Sequence, residues 1–164
     1  MPHAHRELLG ASEGTAMRMS TKGRYGLRVM TELAKRYGAG PVLVDSIAAN
    51  QDISTKYKHV LVSTLKSAGL VRSVRGPNGG YELSRDPATV SALDVVRVLE
   101  GPCAPVECVS DPRFCPRAST CVTRDVWTEV GAAVEEVLER ITLATLVQRQ
   151  KEKCSGADGG MYSI

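Results

Sequence analysis

With 164 residues, 43% of them apolar and only 4% aromatic, the chain suits one domain, or a small domain plus an accessory element, with a mainly aliphatic core. Its formal net charge of +3 hides an asymmetry: residues 17–83 contain 11 Lys and Arg against 4 Asp and Glu, a net charge of +7, whereas the remainder carries −4, which favours a nucleic-acid-binding module joined to something else. No apolar run approaches the roughly 20 residues that span a bilayer, and residues 1–16 lack the apolar centre of a secretory signal, so we expect a cytoplasmic protein.

The N-terminal residues 1–16 have no sustained period and predict a disordered extension. A first helix is predicted from Thr21 to Tyr37, because its apolar residues recur at every third or fourth position, as they do on a helix with one buried face.

Two short helices joined by a tight turn follow, and together they form a helix-turn-helix pattern. The first covers residues 44–51 with Asp45 as its N-cap, the turn is residues 52–54, and the second helix ends near Ala68. Its predicted inward face consists of Tyr57, Val60, Leu61, Thr64 and Leu65. Its polar and basic outer face suits the major groove of DNA. The residues expected to contact DNA here are Ser54, Thr55, Lys56, Lys58, His59 and Ser63.

A β-hairpin is predicted next, with strands at residues 70–74 and 81–83 around a turn that contains Asn-Gly, a strong hairpin signal. A basic hairpin directly after a helix-turn-helix is typical of a wing, whose cations meet phosphates or enter the minor groove. An ordinary hairpin that closes a small domain is the alternative. Further DNA contacts are expected from Arg72, Arg75, Gly76 and Asn78 in the wing and from Arg18 and Lys22 around the start of the first helix.

A fourth helix is predicted over residues 91–100, with Ser91 and Asp94 as a variant capping box. Four of the five cysteines follow it, namely Cys103, Cys108, Cys115 and Cys121. Such a group indicates a disulfide framework, a metal site or a redox centre, and the cytoplasm opposes structural disulfides. Thiolates hold iron–sulfur clusters or zinc, and the short CxxC pairs common in zinc sites are absent. Metal or redox chemistry is therefore favoured, and an iron–sulfur cluster, zinc, a cluster-free thiol switch and inert cysteines all stay open at this point.

A long helix is predicted from residue 122 to about residue 141. Its apolar stripe needs a partner surface, which a second copy of the chain would supply; packing back on the first domain is the alternative. The residues of this predicted dimerisation stripe are Val126, Val130, Val134, Val137 and Ile141. Thr142 is expected to cap a final short helix over residues 143–150, and residues 151–164 predict a disordered tail.

Three stretches now point to a family: Met17–Gly26 (MRMSTKGRYG), Gly69–Tyr81 (GLVRSVRGPNGGY) and the cysteines 108, 115 and 121 before a long helix. Over residues 17–150 the chain resembles the Rrf-type winged-helix transcriptional regulators of bacteria, the IscR- and NsrR-like iron–sulfur cluster regulators. The resemblance implies a mainly α fold with a small β-hairpin wing.

In domain terms, the resemblance implies a winged helix-turn-helix domain over residues 17–100, a cysteine-rich cluster-binding loop over 101–121 and a dimerisation helix with a short C-terminal helix over 122–150. It also implies a homodimer on double-stranded operator DNA and a [2Fe–2S] or [4Fe–4S] cluster on Cys108, Cys115 and Cys121.

The fourth cluster ligand departs from the family pattern. Arg124 occupies the position where cluster-assembly regulators have a histidine, and Arg24 the position where nitric-oxide sensors have an aspartate from the partner chain. Cys103 is the first replacement candidate, because thiolates are the usual ligands of these clusters. Glu107 and Asp125 are the others.

These observations predict a DNA-binding transcriptional regulator, and not an enzyme, whose DNA binding is controlled by a cluster on the cysteine loop. A zinc-dependent or cluster-free thiol-redox regulator is the nearer alternative. A small iron–sulfur electron carrier is the more distant one, since it would need neither the basic half nor the wing. The sensed signal stays open.

Overall fold

The structure is a computed structural model that describes residues 19–49 and 55–158. Short 3-10 turns lie at Pro87–Thr89 and Pro112–Phe114. The helices and strands run in the order α1 Thr21–Lys35, α2 Val44–Ala49, α3 Thr55–Ser67, β1 Val71–Val74, β2 Gly80–Leu83, α4 Ala92–Glu100, α5 Glu107–Ser110, α6 Val122–Glu139 and α7 Leu143–Asp158. The mainly helical fold with a small hairpin agrees with the sequence prediction. None of the helices in the described ranges is long and apolar enough to cross a membrane.

Helix α1 begins at the predicted Thr21, directly after its N-cap residue Ser20. The Ser20 hydroxyl accepts a hydrogen bond of 3.0 Å from the Lys22 amide, which satisfies one of the free donors of the first turn. The helix ends at Lys35, two residues before the predicted end at Tyr37. Its buried face provides one side of the core through Val29, Met30, Leu33 and Ala34.

Two glycines of α1 permit a close approach of α4. A Cβ atom at Gly26 would lie 1.9 Å from the Leu99 Cδ1 atom, and one at Gly23 would lie 2.6 Å from the Glu100 Oε1 atom. A side chain at either position would force Leu99 or Glu100 to move, so these side chains at the end of α4 rest directly against the backbone of α1.

The predicted hairpin is confirmed. Strands β1 and β2 pair antiparallel, with Val71 opposite Leu83 and Val74 opposite Gly80, which leaves residues 75–79 as the turn. This places the predicted wing residues Arg75, Gly76 and Asn78 in the exposed turn, whereas Arg72 lies on β1 opposite Glu82.

The turn and its surroundings need glycine at Gly76 and Gly80, in addition to the glycine of the Asn78-Gly79 pair. Gly76 has φ 127°, a conformation that side chains disfavour. Gly79 donates a hydrogen bond of 2.9 Å to the Gly76 carbonyl. A Cβ at Gly80 would lie 2.5 Å from the Val42 carbonyl oxygen, because Val42 forms a β-bridge with Tyr81. The run of glycines thus serves both the turn and this extra bridge.

The buried face of α3 differs from the predicted one. Val60, which we expect in the core, is 48% exposed, and Lys58, which we expect on the outer face, is only 4% exposed. Asp45 lies in the first turn of α2 rather than at its N-cap, because the helix already begins at Val44. The inward face of α3 is formed by Lys58 with the fully buried Leu61, Val62 and Leu65.

The reason for the difference lies in the periodicity of a helix. Positions 58, 61, 62 and 65 share one face, and so do positions 57, 60, 61, 64 and 65. The sequence prediction assigns the lysines of α3 to its outer face because of their charge. The long aliphatic stem of Lys58 nevertheless allows most of its side chain to be buried.

The predicted capping box of α4 is present. The Ser91 hydroxyl accepts from the Asp94 amide at 3.1 Å, and the Asp94 carboxylate accepts from the Ser91 amide at 2.9 Å. Helix α6 begins at the predicted Val122 but ends at Glu139, two residues before the expected end.

The C-terminal part returns to the first domain. The Ala92 amide donates to the Ile141 carbonyl at 2.7 Å, and the Leu143 amide donates to the Val90 carbonyl at 2.9 Å. Leu143 is fully buried in the same core as α1 and α3. The core around residues 17–100 therefore includes a side chain from beyond the long helix.

Helix α7 is longer than predicted. It covers Leu143–Asp158, whereas the sequence pattern places its end at Gln150, so the prediction of disorder is wrong for residues 151–158. The Thr142 hydroxyl accepts from the Thr145 amide at 3.2 Å, which confirms the predicted cap. The predictions for residues 1–16, for the turn 52–54 and for residues 159–164 lie outside the described residues.

Candidate nucleic-acid interface and cysteine segment

The outer face of α3 is polar and basic. Lys56, His59 and Ser63 are all exposed there and lie within two helical turns of one another. Lys58, although predicted to contact DNA, is buried and so does not belong to this exposed face. Arg18 and Ser54 lie outside the described residues, and of Thr55 only the backbone is described.

The two wing arginines differ in their surroundings. Arg72 makes an ion pair of 2.9 Å from its Nε atom to the Glu82 carboxylate on the opposite strand, although its side chain remains 65% exposed. Arg75 is exposed at the tip beside Gly76 and Asn78. Part of the Arg72 charge is therefore balanced within the hairpin, and Arg75 is better placed for an external anion.

Lys22 adds a cation near the start of α1, where it is exposed in the first turn.

The first turn of α1 is held by Glu100, the last residue of α4. The Glu100 Oε1 atom accepts a hydrogen bond of 2.7 Å from the Gly23 amide and another from the Ser20 hydroxyl. A carboxylate at a helix N-terminus is favourable, because it meets free amides and the positive end of the helix dipole. Since 77 residues separate Glu100 from Gly23, no local signal in the sequence predicts this contact.

The cysteine segment, residues 101–121, contains more local structure than the predicted loop. It includes the single-turn helix α5 and the 3-10 turn that follows it. Arg124 in α6 donates from its Nε atom to the Cys108 carbonyl at 2.9 Å. The residue that replaces the family histidine thus holds the backbone of a cysteine rather than a metal.

The backbone of Cys103 lies against the middle of α6, away from Cys121 at the start of that helix. Its carbonyl oxygen is 3.4 Å from the position of a Cβ on Gly131 in α6. Gly131 is ten residues along α6 from Cys121, which corresponds to about 15 Å at 1.5 Å per residue. The structure therefore does not place Cys103, the predicted fourth ligand, beside Cys121.

Two of the thiols also differ in their electrostatic environment. Burial, followed by the nearby Glu135 carboxylate, raises the pKa of the Cys103 thiol. The hydrogen bond with the Thr123 hydroxyl at 3.1 Å, followed by one from the Arg124 amide, lowers the pKa of the partly exposed Cys121 thiol. The thiolate is the form that binds metals, so Cys121 is the better ligand of the two.

The donor chemistry fits an iron–sulfur cluster or zinc, because Cys108, Cys115 and Cys121 are free, partly exposed thiols on one short segment. The sulfur atoms are not gathered, however. No three His, Cys, Asp or Glu side chains in the described ranges lie close enough together to hold a metal ion. The cysteine segment would have to close for its thiols to converge.

Helix α6 leaves an apolar stripe uncovered within the described chain. Val126 is 54% exposed and Val137 is 46% exposed, while Val130, Val134 and Ile141 are half-buried. The side of α6 that meets α4 does so partly through polar pairs, the Arg97–Glu135 ion pair at 2.8 Å and the Ser91–Glu139 hydrogen bond at 3.2 Å. Trp127 and Val122 extend the exposed stripe.

Comparison with protein families gives a match over most of the chain. The profile of the Rrf2 family, described as iron-dependent transcriptional regulators, matches residues 19–149. The HTH-type transcriptional regulator CymR of Bacillus subtilis (strain 168) is 46% identical over 130 residues, which cover 79% of this chain and 89% of CymR. The HTH-type transcriptional regulator IscR of Sodalis glossinidius is 35% identical over 135 residues, which cover 82% of this chain and 81% of IscR.

Solved structures show the same similarity. The structure of CymR, the global cysteine regulator of B. subtilis, has a TM-score of 0.68 and 45% identity and covers 80% of this chain and 97% of its own. T. potens IscR has a TM-score of 0.69 and 38% identity, covering 90% and 93%. An oxidized form of Staphylococcus aureus CymR has a TM-score of 0.64 and 39% identity, covering 79% and 95%.

Proposed function

The chain belongs to the Rrf2 family of DNA-binding transcriptional regulators, and from this premise we propose that it is a homodimer whose DNA binding is controlled by an iron–sulfur cluster on the cysteine segment. Its relatives are regulators rather than enzymes. The observation that carries the proposal is the position of three partly exposed thiols between the helix that caps α1 and the helix that carries the uncovered apolar stripe.

In this proposal α3 lies in the major groove and the wing meets the adjacent backbone. Lys56, His59 and Ser63 are the residues of α3 that face outward and carry polar groups for base edges or phosphates. Arg75 and Lys22 supply exposed positive charge to phosphates on either side.

We propose Cys108, Cys115 and Cys121 as cluster ligands. When bound, the cluster supplies iron–thiolate bonds and a charge that changes with oxidation or loss of iron. The chain contributes a segment whose backbone is held to α6 by Arg124 and whose start is fixed by Glu100 at the first turn of α1. Glu107, next to Cys108, and Asp125, four residues after Cys121, are the remaining candidates for the fourth position, because the backbone of Cys103 lies against α6 at Gly131, well along the helix from Cys121.

The homodimer is proposed from the stripe on α6. Val126, Trp127 and Val137 expose large apolar side chains on one helix, and such a surface favours association with a copy of itself around a twofold axis. Two copies of α3 would then meet two half-sites of a duplex.

The cluster is tested by iron, sulfide and zinc analysis, together with visible absorbance, of protein purified without oxygen. We expect Cys108→Ala, Cys115→Ala and Cys121→Ala each to lose the chromophore. Cys154→Ala is the matched control, because Cys154 is an exposed thiol on α7, away from the segment, and we expect it to keep the full colour.

The same preparations are compared by gel shift on the promoter region of the protein's own gene, with and without cluster. A change in affinity between the two forms is the expected result. A colourless, metal-free preparation that binds at full strength, and that no cysteine substitution alters, would reject cluster control.

A cluster-free thiol regulator is the second candidate, and two observations favour it. Within the described residues the cysteine side chains are not close enough together to share a metal ion, and a solved structure of S. aureus CymR, a relative by structure, is of an oxidized form. In this case metal-free protein would lose or gain DNA affinity on treatment with peroxide, dithiothreitol would reverse the change, and Cys121→Ala would abolish it.

A further inference from the structure

The residue of interest is Val60, an apolar side chain on the outer face of α3. The inward face of the helix is occupied by Leu61, Val62 and Leu65, which are fully buried. Val60 lies off that face and is 48% exposed. Its side chain is therefore available to a partner without any change in the core.

The neighbours of Val60 are polar. Lys56 lies one turn before it, Ser63 nearly one turn after it and His59 beside it, and all three are exposed. Single exposed valines are common on protein surfaces and need no explanation by themselves. What distinguishes Val60 is its place in the middle of the face that a helix-turn-helix protein presents to the major groove.

Among the groups that base pairs present in the major groove, only the C5-methyl group of thymine is apolar. A β-branched side chain at the centre of the reading face has two methyl groups to bury against it. We propose that Val60 is a specificity-determining residue that contacts a thymine methyl group in each half-site. This inference rests on DNA binding by α3 and is independent of the cluster.

The experiment begins with selection of preferred duplexes from a random pool by the wild-type protein. Each thymine of the selected half-site is then replaced by uracil, which keeps the pairing and hydrogen-bonding edges and lacks only the methyl group. We expect one position at which uracil weakens wild-type binding by about four-fold, the factor that burial of one methyl group provides.

Val60→Ala should lose affinity for the thymine duplex by a similar factor and should no longer distinguish thymine from uracil at that position. The two changes are thus non-additive, which is the signature of a direct contact. Val62→Ala is the matched control on the same helix. Because Val62 is fully buried, this substitution should lower the melting temperature yet leave the thymine preference intact.

Two results would overturn the proposal: equal binding of thymine and uracil duplexes by the wild type at every position, or retention of the preference by Val60→Ala. A selected half-site without thymine would overturn it as well. If the pool gave no preferred duplex and binding did not respond to salt, DNA reading by α3 itself would fail, which is a different outcome from failure of Val60 alone.

Discussion

The DNA-binding half and the cysteine segment are held in shape by different forces. In the first, fully buried aliphatic side chains such as Met30, Leu61 and Leu83 form one core. In the second, α5 has four residues and buries none of them, and the segment is held by hydrogen bonds such as that from Arg124 to the Cys108 carbonyl. A region with few buried apolar contacts opens at low free-energy cost. The comparison therefore indicates that the DNA-binding half is rigid and that the cysteine segment rearranges easily.

The largest expected effect sharpens this contrast. Leu61→Ala should lower the free energy of unfolding by about 2–5 kcal/mol, because Leu61 is fully buried and its truncation leaves a cavity. Phe114→Ala, at a side chain that is 66% exposed in the cysteine segment, should change it by less than about 0.5 kcal/mol. Urea unfolding of metal-free, reduced protein measures both, and similar losses for the two variants would contradict the difference in packing.

A smaller effect is expected at the junction of the two regions. Glu100→Ala removes the acceptor of the Gly23 amide and the Ser20 hydroxyl, so the first turn of α1 loses a cap and about 1 kcal/mol of stability. Glu136→Ala, at an exposed position on α6, is the control and should have little effect. The melting temperatures of the two variants test this prediction. Equal melting temperatures would show that Glu100 does not stabilise the first turn of α1.

The wing offers a comparison within the DNA-binding half. Arg75→Ala should reduce the slope of log affinity against log salt by about one, as expected for loss of one phosphate contact. Arg72→Ala should reduce it less, because Glu82 already balances part of the Arg72 charge. Titrations of a duplex at several salt concentrations measure the slopes, and an equal reduction would show that the Arg72–Glu82 pair opens on DNA.

The smallest effect concerns the thiols. In metal-free protein near pH 8, Cys103 should react with iodoacetamide more slowly than the exposed Cys154, because burial and Glu135 raise the Cys103 pKa and so reduce its thiolate fraction. Glu135→Gln removes the second of these causes and should speed the reaction of Cys103. Mass spectrometry of the labelled peptides follows both rates; an unchanged rate in Glu135→Gln would exclude that carboxylate as a cause.

The sequence predicts those features that depend on neighbours a few residues apart. The Ser91–Asp94 capping box, the Thr142 cap and the hairpin at residues 71–83 all follow from short-range hydrogen bonds and backbone preferences. The order of the elements follows in the same way. The polar stretch after Gln150 is an exception, since helix α7 continues to Asp158.

Only the tertiary structure decides between faces and partners that local patterns leave equivalent. Whether Lys58 or Val60 turns inward on α3 depends on what the rest of the core offers, because both choices satisfy the helical period. The contact of Glu100 with α1, the return of Leu143 to the core and the distance of Cys103 from Cys121 join residues far apart in the chain. Such contacts form because packing brings distant segments together, and no local preference encodes that approach.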